Sequence, residues 1–230
     1  MRMQYNQFCP ISKAAEILGE RWTILILREL LQGARRFNSI QRGLGDISPA
    51  LLTKRLKSLE EQGMIVRRRM PGQKGYEYYP TEACDAMLPL LFAMGEWGLL
   101  WAQHMILDSD FDAEFLLTYL ERSVDASKLK GGETIIKFRF TDLVEQRDWW
   151  LVVRSDESQV CLKDPGKDVD VWFTCEVRTM AEVWSGDRTY REAVSSGDLS
   201  IQGDPSLTRN VKAWLRPGVF VDSPRPALVA

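Results

Sequence analysis

At 230 residues the chain is too long for one small helical module and long enough for two domains, each able to bury its own core. Its composition, 45% hydrophobic and 27% charged, is that of an ordinary folded protein and excludes extensive disorder, collagen-like repeats and a long coiled coil. The net charge of −2 conceals an uneven distribution: Arg21 to Tyr79 holds 12 Lys/Arg against 5 Asp/Glu, whereas Phe111 to the end holds 16 against 20.

Ile11 to Leu18 reads as a short helix, and Glu20 to Leu31 as a core helix with Trp22, Ile26 and Leu30 at fourfold spacing. Gly33 closes it, and a third helix follows from Arg35, with Phe37, Ile40 and Leu44 on one face. Ser48-Pro49 is a start signal, because the serine side chain caps free amides and proline fits the first helical position; this fourth helix runs to about Gln62. Gly63 ends it. Met64 to Met70, a turn at Pro71 to Gly75, and Tyr76 to Pro80 then read as strand, turn, strand. Thr81 is placed to cap a further helix through Met87, Leu91, Met94, Trp97 and Trp101 to about Leu107, with a kink or break at Pro89. No run approaches the roughly 18 uncharged residues of a membrane span, and the first residues lack the apolar core of a signal peptide, so a cytoplasmic protein with no membrane insertion is expected.

The acids of Asp108 to Asp112 suit the cap of a new helix and set a domain border near residue 110, giving domains 1-109 and 110-230. Beyond it, Glu133 to Thr141, Trp149 to Arg154, Gln159 to Leu162 and Val169 to Cys175 alternate as strands. Helices at Thr179 to Ser185 and Tyr190 to Ser195, a short strand from Leu199, and a helix from Pro205 to Leu215 capped by Asp204 complete the chain. Strands in series followed by helices predict an α+β domain, an antiparallel sheet covered by helices.

In the first half, three helices and a charged hairpin form a winged helix. Leu52, Leu56 and Leu59 fall on one side of the fourth helix, and Ala50, Thr53, Lys54 and Lys57 on the other, with Arg55 flanking them. Small residues at the start let the backbone approach base edges, and the amides near Ser48 and Pro49 offer a phosphate site. The hairpin adds Arg67, Arg68 and Arg69, with Gln73 and Lys74 at its tip; strand alternation puts Arg67 and Arg69 on one face and Arg68 on the other. With Arg36, the expected DNA contacts are therefore Ser48, Pro49, Ala50, Thr53, Lys54, Arg55, Lys57, Arg67, Arg69, Gln73 and Lys74. The competing reading of three arginines alone is a solvated strand; beside such a helix it loses ground.

The strings Cys9-Pro-Ile-Ser-Lys-Ala-Ala-Glu-Ile-Leu-Gly-Glu-Arg-Trp, Arg36-Phe-Asn-Ser-Ile-Gln, Ile47-Ser-Pro-Ala-Leu-Leu-Thr-Lys-Arg-Leu and Tyr76-Glu-Tyr-Tyr-Pro-Thr resemble an HxlR-type winged helix-turn-helix regulator over residues 9 to about 100. The resemblance implies a homodimer, joined through the terminal helices of the domain, on a pseudo-palindromic operator in double-stranded DNA. Gly19-Glu20 stands where that family commonly has a glycine pair, and Pro49 is uncommon in its reading helix, which leaves base specificity open. It also implies that Cys9 could sense oxidants, although only Lys13 and a helix start lie near it in sequence; quiet packing is the alternative.

Trp172-Phe-Thr-Cys, Met180 to Asp187 and Ala193 to Pro205 resemble, less specifically, a sterol-carrier-protein-type-2-like domain. That implies an apolar tunnel for a lipid or other hydrophobic ligand, for which Trp150, Trp172, Met180, Trp184 and Trp214 are candidate walls; ordinary core is the competing reading of each. No catalytic set is visible: His104, the one histidine, has no adjacent nucleophile and reads as helix filler. Cys9, Cys84, Cys161 and Cys175 form no CxxC pair, so neither a metal nor a cofactor is expected. The sequence thus predicts a DNA-binding regulator, ligand-responsive through its second domain. The alternatives are a regulator whose second domain is structural only, and a lipid carrier with a helical appendage.

Overall fold

The computed structural model describes residues 4–72, 74–129, 132–154 and 157–225. The chain divides into two compact units, Met1–Trp97 and Gly98–Ala230.

In the first unit, α1 (Pro10–Leu18), α2 (Thr23–Leu31), α3 (Phe37–Arg42) and α4 (Pro49–Glu61) precede a hairpin of β1 (Ile65–Arg69) and β2 (Tyr76–Pro80). Helix α5 (Glu82–Asp85) and the longer α6 (Leu88–Trp101) follow. The core gathers one face of each element: Ile26, Leu27 and Leu30 of α2, Ile40 of α3, Leu52, Leu56 and Leu59 of α4, and Ile65 of β1. Full burial of each such side chain is worth roughly 1.5–3 kcal/mol, so this shared face fixes how the helices pack.

Helix α2 starts three residues later than its apolar pattern predicts. Trp22 adopts φ 77°, a left-handed conformation that a helix cannot continue through, and its ring packs against the core while Arg21 lies 5.3 Å from its centroid. Thr81 does not cap α5. Its hydroxyl instead donates to the carbonyls of Gly63 (2.7 Å) and Met64 (2.9 Å), tying the end of the hairpin to the turn after α4. The expected break near Pro89 is present: α5 ends at Asp85, and Pro89 lies in the first turn of α6, where its missing N–H costs nothing. By length and composition the stretch Glu82–Trp101 is apolar enough to cross a membrane, an 18-residue window in it reaching a mean hydropathy of 1.3, although it holds no run of 18 uncharged residues. Glu82, Asp85 and Glu96 interrupt it.

The second unit opens with α7 (Ala113–Ser123), whose N-cap Asp112 accepts from the Phe115 amide at 2.6 Å. The strands β3 (Glu133–Phe140), β4 (Asp148–Arg154) and β5 (Glu157–Cys161) form a meander. After it come β6 (Val171–Cys175), α8 (Val177–Ser185), α9 (Tyr190–Ser195), β7 (Leu199–Gly203), α10 (Pro205–Thr208) and α11 (Val211–Trp214). The sheet order is β5-β4-β3-β6-β7. Three of its pairings are antiparallel, but β3 and β6 run parallel, because the chain leaves β5 at one edge, crosses the sheet, and adds β6 on the far side of β3. The last predicted helix is two short ones, divided at Arg209 and Asn210, whose φ of −138° is not helical.

All the helices of this unit share one core with one face of the sheet: Leu117 of α7 and Met180 of α8 meet Ile136, Phe138 and Phe140 of β3 and Phe173 of β6. The rings of Phe138 and Phe173 stack at 4.9 Å, and Trp214 meets Phe173 edge-on at 6.2 Å. Gly203 closes β7 with φ +124°, and a Cβ there would lie 2.1 Å from the Asp170 carbonyl. Asp170 needs that approach: its carbonyl accepts from the Asp204 amide, and its carboxylate from the Ile135 amide at 2.8 Å.

Candidate nucleic-acid interface

Helix α4 is built to present one face. The Ser48 hydroxyl accepts from the Leu51 amide at 3.3 Å, Pro49 occupies the first turn, and Leu52, Leu56 and Leu59 are buried. Ser48, Pro49, Ala50, Thr53, Lys54 and Lys57 are all exposed on the opposite side. The Thr53 hydroxyl donates to the Pro49 carbonyl at 2.8 Å, which holds the side chain in one rotamer and leaves its lone pairs and methyl outward.

Arg55 is a correction. It is ion-paired with Glu20, only 14% of its side chain is exposed, and it ties α4 to the turn before α2. Its sequence neighbours gave no hint of this, because the partner lies 35 positions away.

The turn leading into α4 is braced from beneath. Glu29, fully buried within the apolar α2, carries a carboxylate against Gly43, where a Cβ would meet Oε2 at 1.8 Å. Arg28 pairs with Glu29 at 3.0 Å and donates to the Gly43 carbonyl at 2.9 Å, while Gln41 donates to the Ile47 carbonyl at 3.2 Å. These positioning residues escaped the sequence reading; the signal for them is an acid and a base set side by side in an otherwise apolar helix.

In the hairpin, Arg67 pairs in register with Tyr78, Arg68 with Glu77 and Arg69 with Tyr76. All three arginines are exposed. Arg67 lies 4.5 Å from the Tyr76 ring centroid and 3.5 Å from Glu60 of α4, and Arg68 lies 4.8 Å from the ring of Tyr79. Aromatic faces thus hold two guanidinium groups extended. Tyr79 donates to Glu77 at 2.7 Å, and this bond pushes its phenol up from the ordinary value. Arg36 is exposed 3.8 Å from Glu77, and Lys74 is exposed at the tip. Gln73 lies outside the described residues.

Cys9 is half-buried at the N-cap of α1. Hydrogen bonds from the Ser12 and Ile11 amides, at the helix start, hold its thiol below the ordinary value. Lys13 plays no part in this, being paired with Glu16 at 2.8 Å.

The five aromatic and methionine side chains expected to line a tunnel do not line one cavity. Trp150 is buried on the sheet face away from the helices with Ile135 and Val152, with Lys137 Nζ 4.8 Å from its ring centroid. Trp172 projects from that same face, 37% exposed. Met180 and Trp214 lie in the closed main core, where the Trp214 indole donates to the Leu207 carbonyl at 3.0 Å. Trp184 borders a surface cleft, with its indole donating to Ser123 Oγ at 2.9 Å. Period-two alternation placed Trp150 and Trp172 with the strands but could not say which face the helices cover.

The sequence matches the HxlR-like helix-turn-helix family over residues 17–106 and the SCP-2 sterol transfer family over residues 116–216. An uncharacterized HTH-type transcriptional regulator, YvaP of Bacillus subtilis (strain 168), is 35% identical over 108 residues, which make up 46% of this chain and 100% of that protein. An uncharacterized HTH-type transcriptional regulator of Methanothermobacter thermautotrophicus is 34% identical over 97 residues, 42% of this chain and 74% of that protein. Among solved structures, the reduced form of the transcriptional regulator YodB from B. subtilis is 30% identical and covers 43% of this chain and 98% of its own, with a TM-score of 0.38.

Proposed function

We propose that this chain, which belongs to the HxlR-like helix-turn-helix transcriptional regulators and carries an SCP-2 sterol transfer domain as its second half, works as a homodimer on a pseudo-palindromic operator. It acts on double-stranded DNA in the cytoplasm and responds to a hydrophobic molecule through the second domain.

The observation that carries the reading is the outward face of α4: Ser48, Pro49, Ala50, Thr53, Lys54 and Lys57 together, exposed on a helix whose other face is locked in the core. In the major groove such a face brings Ala50 and Thr53 to base edges, and Lys54 and Lys57 to bases or phosphates. Arg67, Arg69 and Lys74 then meet the neighbouring backbone, and Arg36 adds a phosphate contact.

The exposure of α6 supports dimerisation. No residue of this helix is buried, and Leu88, Leu90, Phe92, Met94 and Trp97 are exposed. Apolar surface of that extent is covered in a working molecule, and a second copy of the same helix covers it with two-fold symmetry. Two reading helices then face half-sites one helical turn, about 34 Å, apart. Footprinting tests this: the purified protein should protect two such half-sites near its own gene, and a dimer that retards no DNA at low salt would end the reading.

A second reading, in which the C-terminal domain is structural, is favoured by its filled interior, where Phe138, Phe140, Phe173 and Trp214 occupy the space between sheet and helices. Lipid extraction and mass spectrometry of the purified protein separate the two. Cys9, with its thiol held below the ordinary value, is the candidate oxidant sensor.

A further inference from the structure

Between the outer faces of α7 and α8, within the second unit, runs a cleft of about 640 Å³. Its long wall is aromatic: Phe115 and Tyr119 of α7 lie 4.8 Å apart, and Tyr119 meets Trp184 of α8 at 5.4 Å. Leu99 in the last turn of α6 and, after it, Ile106 and Phe111 add to the lining. Both the size and the lining suit a small apolar ligand.

Charge decides which kind. Asp110, Asp112, Glu182 and Asp187 border the cleft against two cations, Arg178 and Arg188. Both arginines are already committed, Arg178 to Asp108 (2.9 Å) and Glu182 (3.5 Å), and Arg188 to Asp198 (2.5 Å). Asp187 is held by Arg225 at 3.0 Å. Asp110 and Asp112, by contrast, have no ion pair among the described residues; their carboxylates accept only the Leu107 amide (2.8 Å) and the Phe115 amide (2.6 Å). The uncompensated charge of the cleft is therefore negative. Its rings also draw cations: Arg178 lies 4.7 Å from the Phe111 centroid, and Arg122 lies 5.3 Å from that of Tyr119.

We propose that this cleft binds a lipophilic cation, with the apolar body of the ligand against Phe115, Tyr119 and Trp184 and its positive charge toward Asp110 and Asp112. The site rests on the reading of the second domain as ligand-responsive and gives that reading a location. One wall is Leu99 in the last turn of α6 with Gln103, Ile106 and Phe111 after it, so an occupant acts on the chain that carries the proposed dimer helix.

Tetraphenylphosphonium and tetraphenylborate have nearly the same size and shape and opposite charge. Titrated against the full-length protein by calorimetry, the phosphonium should bind about tenfold more tightly than the borate. Asp110→Asn with Asp112→Asn keeps an acceptor for the Leu107 amide and the cap of α7, since the asparagine side-chain carbonyl also accepts, and should weaken the phosphonium about threefold or more. Ala181→Trp, which fills the cleft, should abolish binding. Equal or tighter binding of the borate, no binding of either, or phosphonium binding unchanged by both variants would overturn the site. An operator titration in the same samples separates this from the broader reading. Phosphonium binding that leaves DNA affinity unchanged overturns ligand response through this site and keeps the site, whereas a neutral lipid that alters DNA affinity while the phosphonium does not bind overturns the site and keeps the response.

Discussion

The two halves of the molecule differ in the balance of their charges. In the second unit, Arg154 and Lys167 share Glu133, Lys137 and Arg139 share Asp148, and Arg188, Arg216 and Arg225 hold Asp198, Asp125 and Asp187. In the first, Lys54, Lys57, Arg69 and Lys74 have no ion pair among the described residues. Exposed ion pairs contribute little to stability, so what matters is the field. Lys128, Lys163, Arg191, Arg209 and Lys212 of the second unit also have no ion pair among the described residues, but acids outnumber bases there, 20 to 16 from Phe111 on. By contrast, 12 bases against 5 acids from Arg21 to Tyr79 leave the first unit a positive potential for a polyanion. The net charge of the chain, which averages the two, says nothing about this.

The contrast can be attacked first through the glycines that hold each half together. Gly203→Ala should cost the second unit at least about 3 kcal/mol, because the new methyl meets the Asp170 backbone and the residue keeps a positive φ. Gly43→Ala should cost about 2–3 kcal/mol in the first unit, by displacing the buried Glu29 carboxylate, and should weaken DNA binding as the α3–α4 turn shifts. Hydrogen exchange read peptide by peptide assigns each loss to its half. A next, smaller effect separates Arg55 from its neighbours. Arg55→Met should destabilise by about 1–2 kcal/mol, through loss of the Glu20 pair, without the salt-dependent loss of DNA affinity expected of Lys54→Ala.

Thiol chemistry gives a third comparison. Cys9 is held below its ordinary value by helix amides, whereas burial pushes Cys84 up to about 11 and Cys175 up to about 12. At pH 8 an alkylating probe should therefore modify Cys9 at least about tenfold faster than either, which mass mapping would show. The smallest effect is acid sensitivity. Ser127 and then Arg216 hold Asp125 down at about 2, Lys167 and Arg154 lower Glu133, and Arg139 lowers Asp148. Carboxylates lowered in the folded state stabilise it fully above about pH 4, and that contribution is lost as pH falls toward 2. Exchange protection in the second unit should thus decline through that window before it does around α4.

Local signals carried much of this architecture. Ser48-Pro49, Asp112 and Asp204 mark helix starts that are capped as their chemistry requires, and the leucines of α4, spaced by four and three, fixed its buried face. What was not legible depended on distant residues. Glu20 captures Arg55, Trp22 takes a left-handed turn for which only its packing supplies a reason, and β6 joins the sheet in parallel through a crossover that no local pattern encodes. The candidate ligand walls failed to converge for the same reason: a strand pattern separates two faces without naming the one that helices will cover, so Trp150 and Trp172 face away from Met180 and Trp214.

The central claim is that the unpaired cations of the first unit meet DNA phosphate, and the salt dependence of operator binding tests it most directly. Lys54→Ala with Lys57→Ala should leave thermal stability within about 0.5 kcal/mol and reduce the slope of log affinity against log salt by about 1 for each phosphate contact removed per half-site. Lys167→Ala in the second unit should change neither. A double variant that binds the operator with the slope of the parent protein would contradict the account.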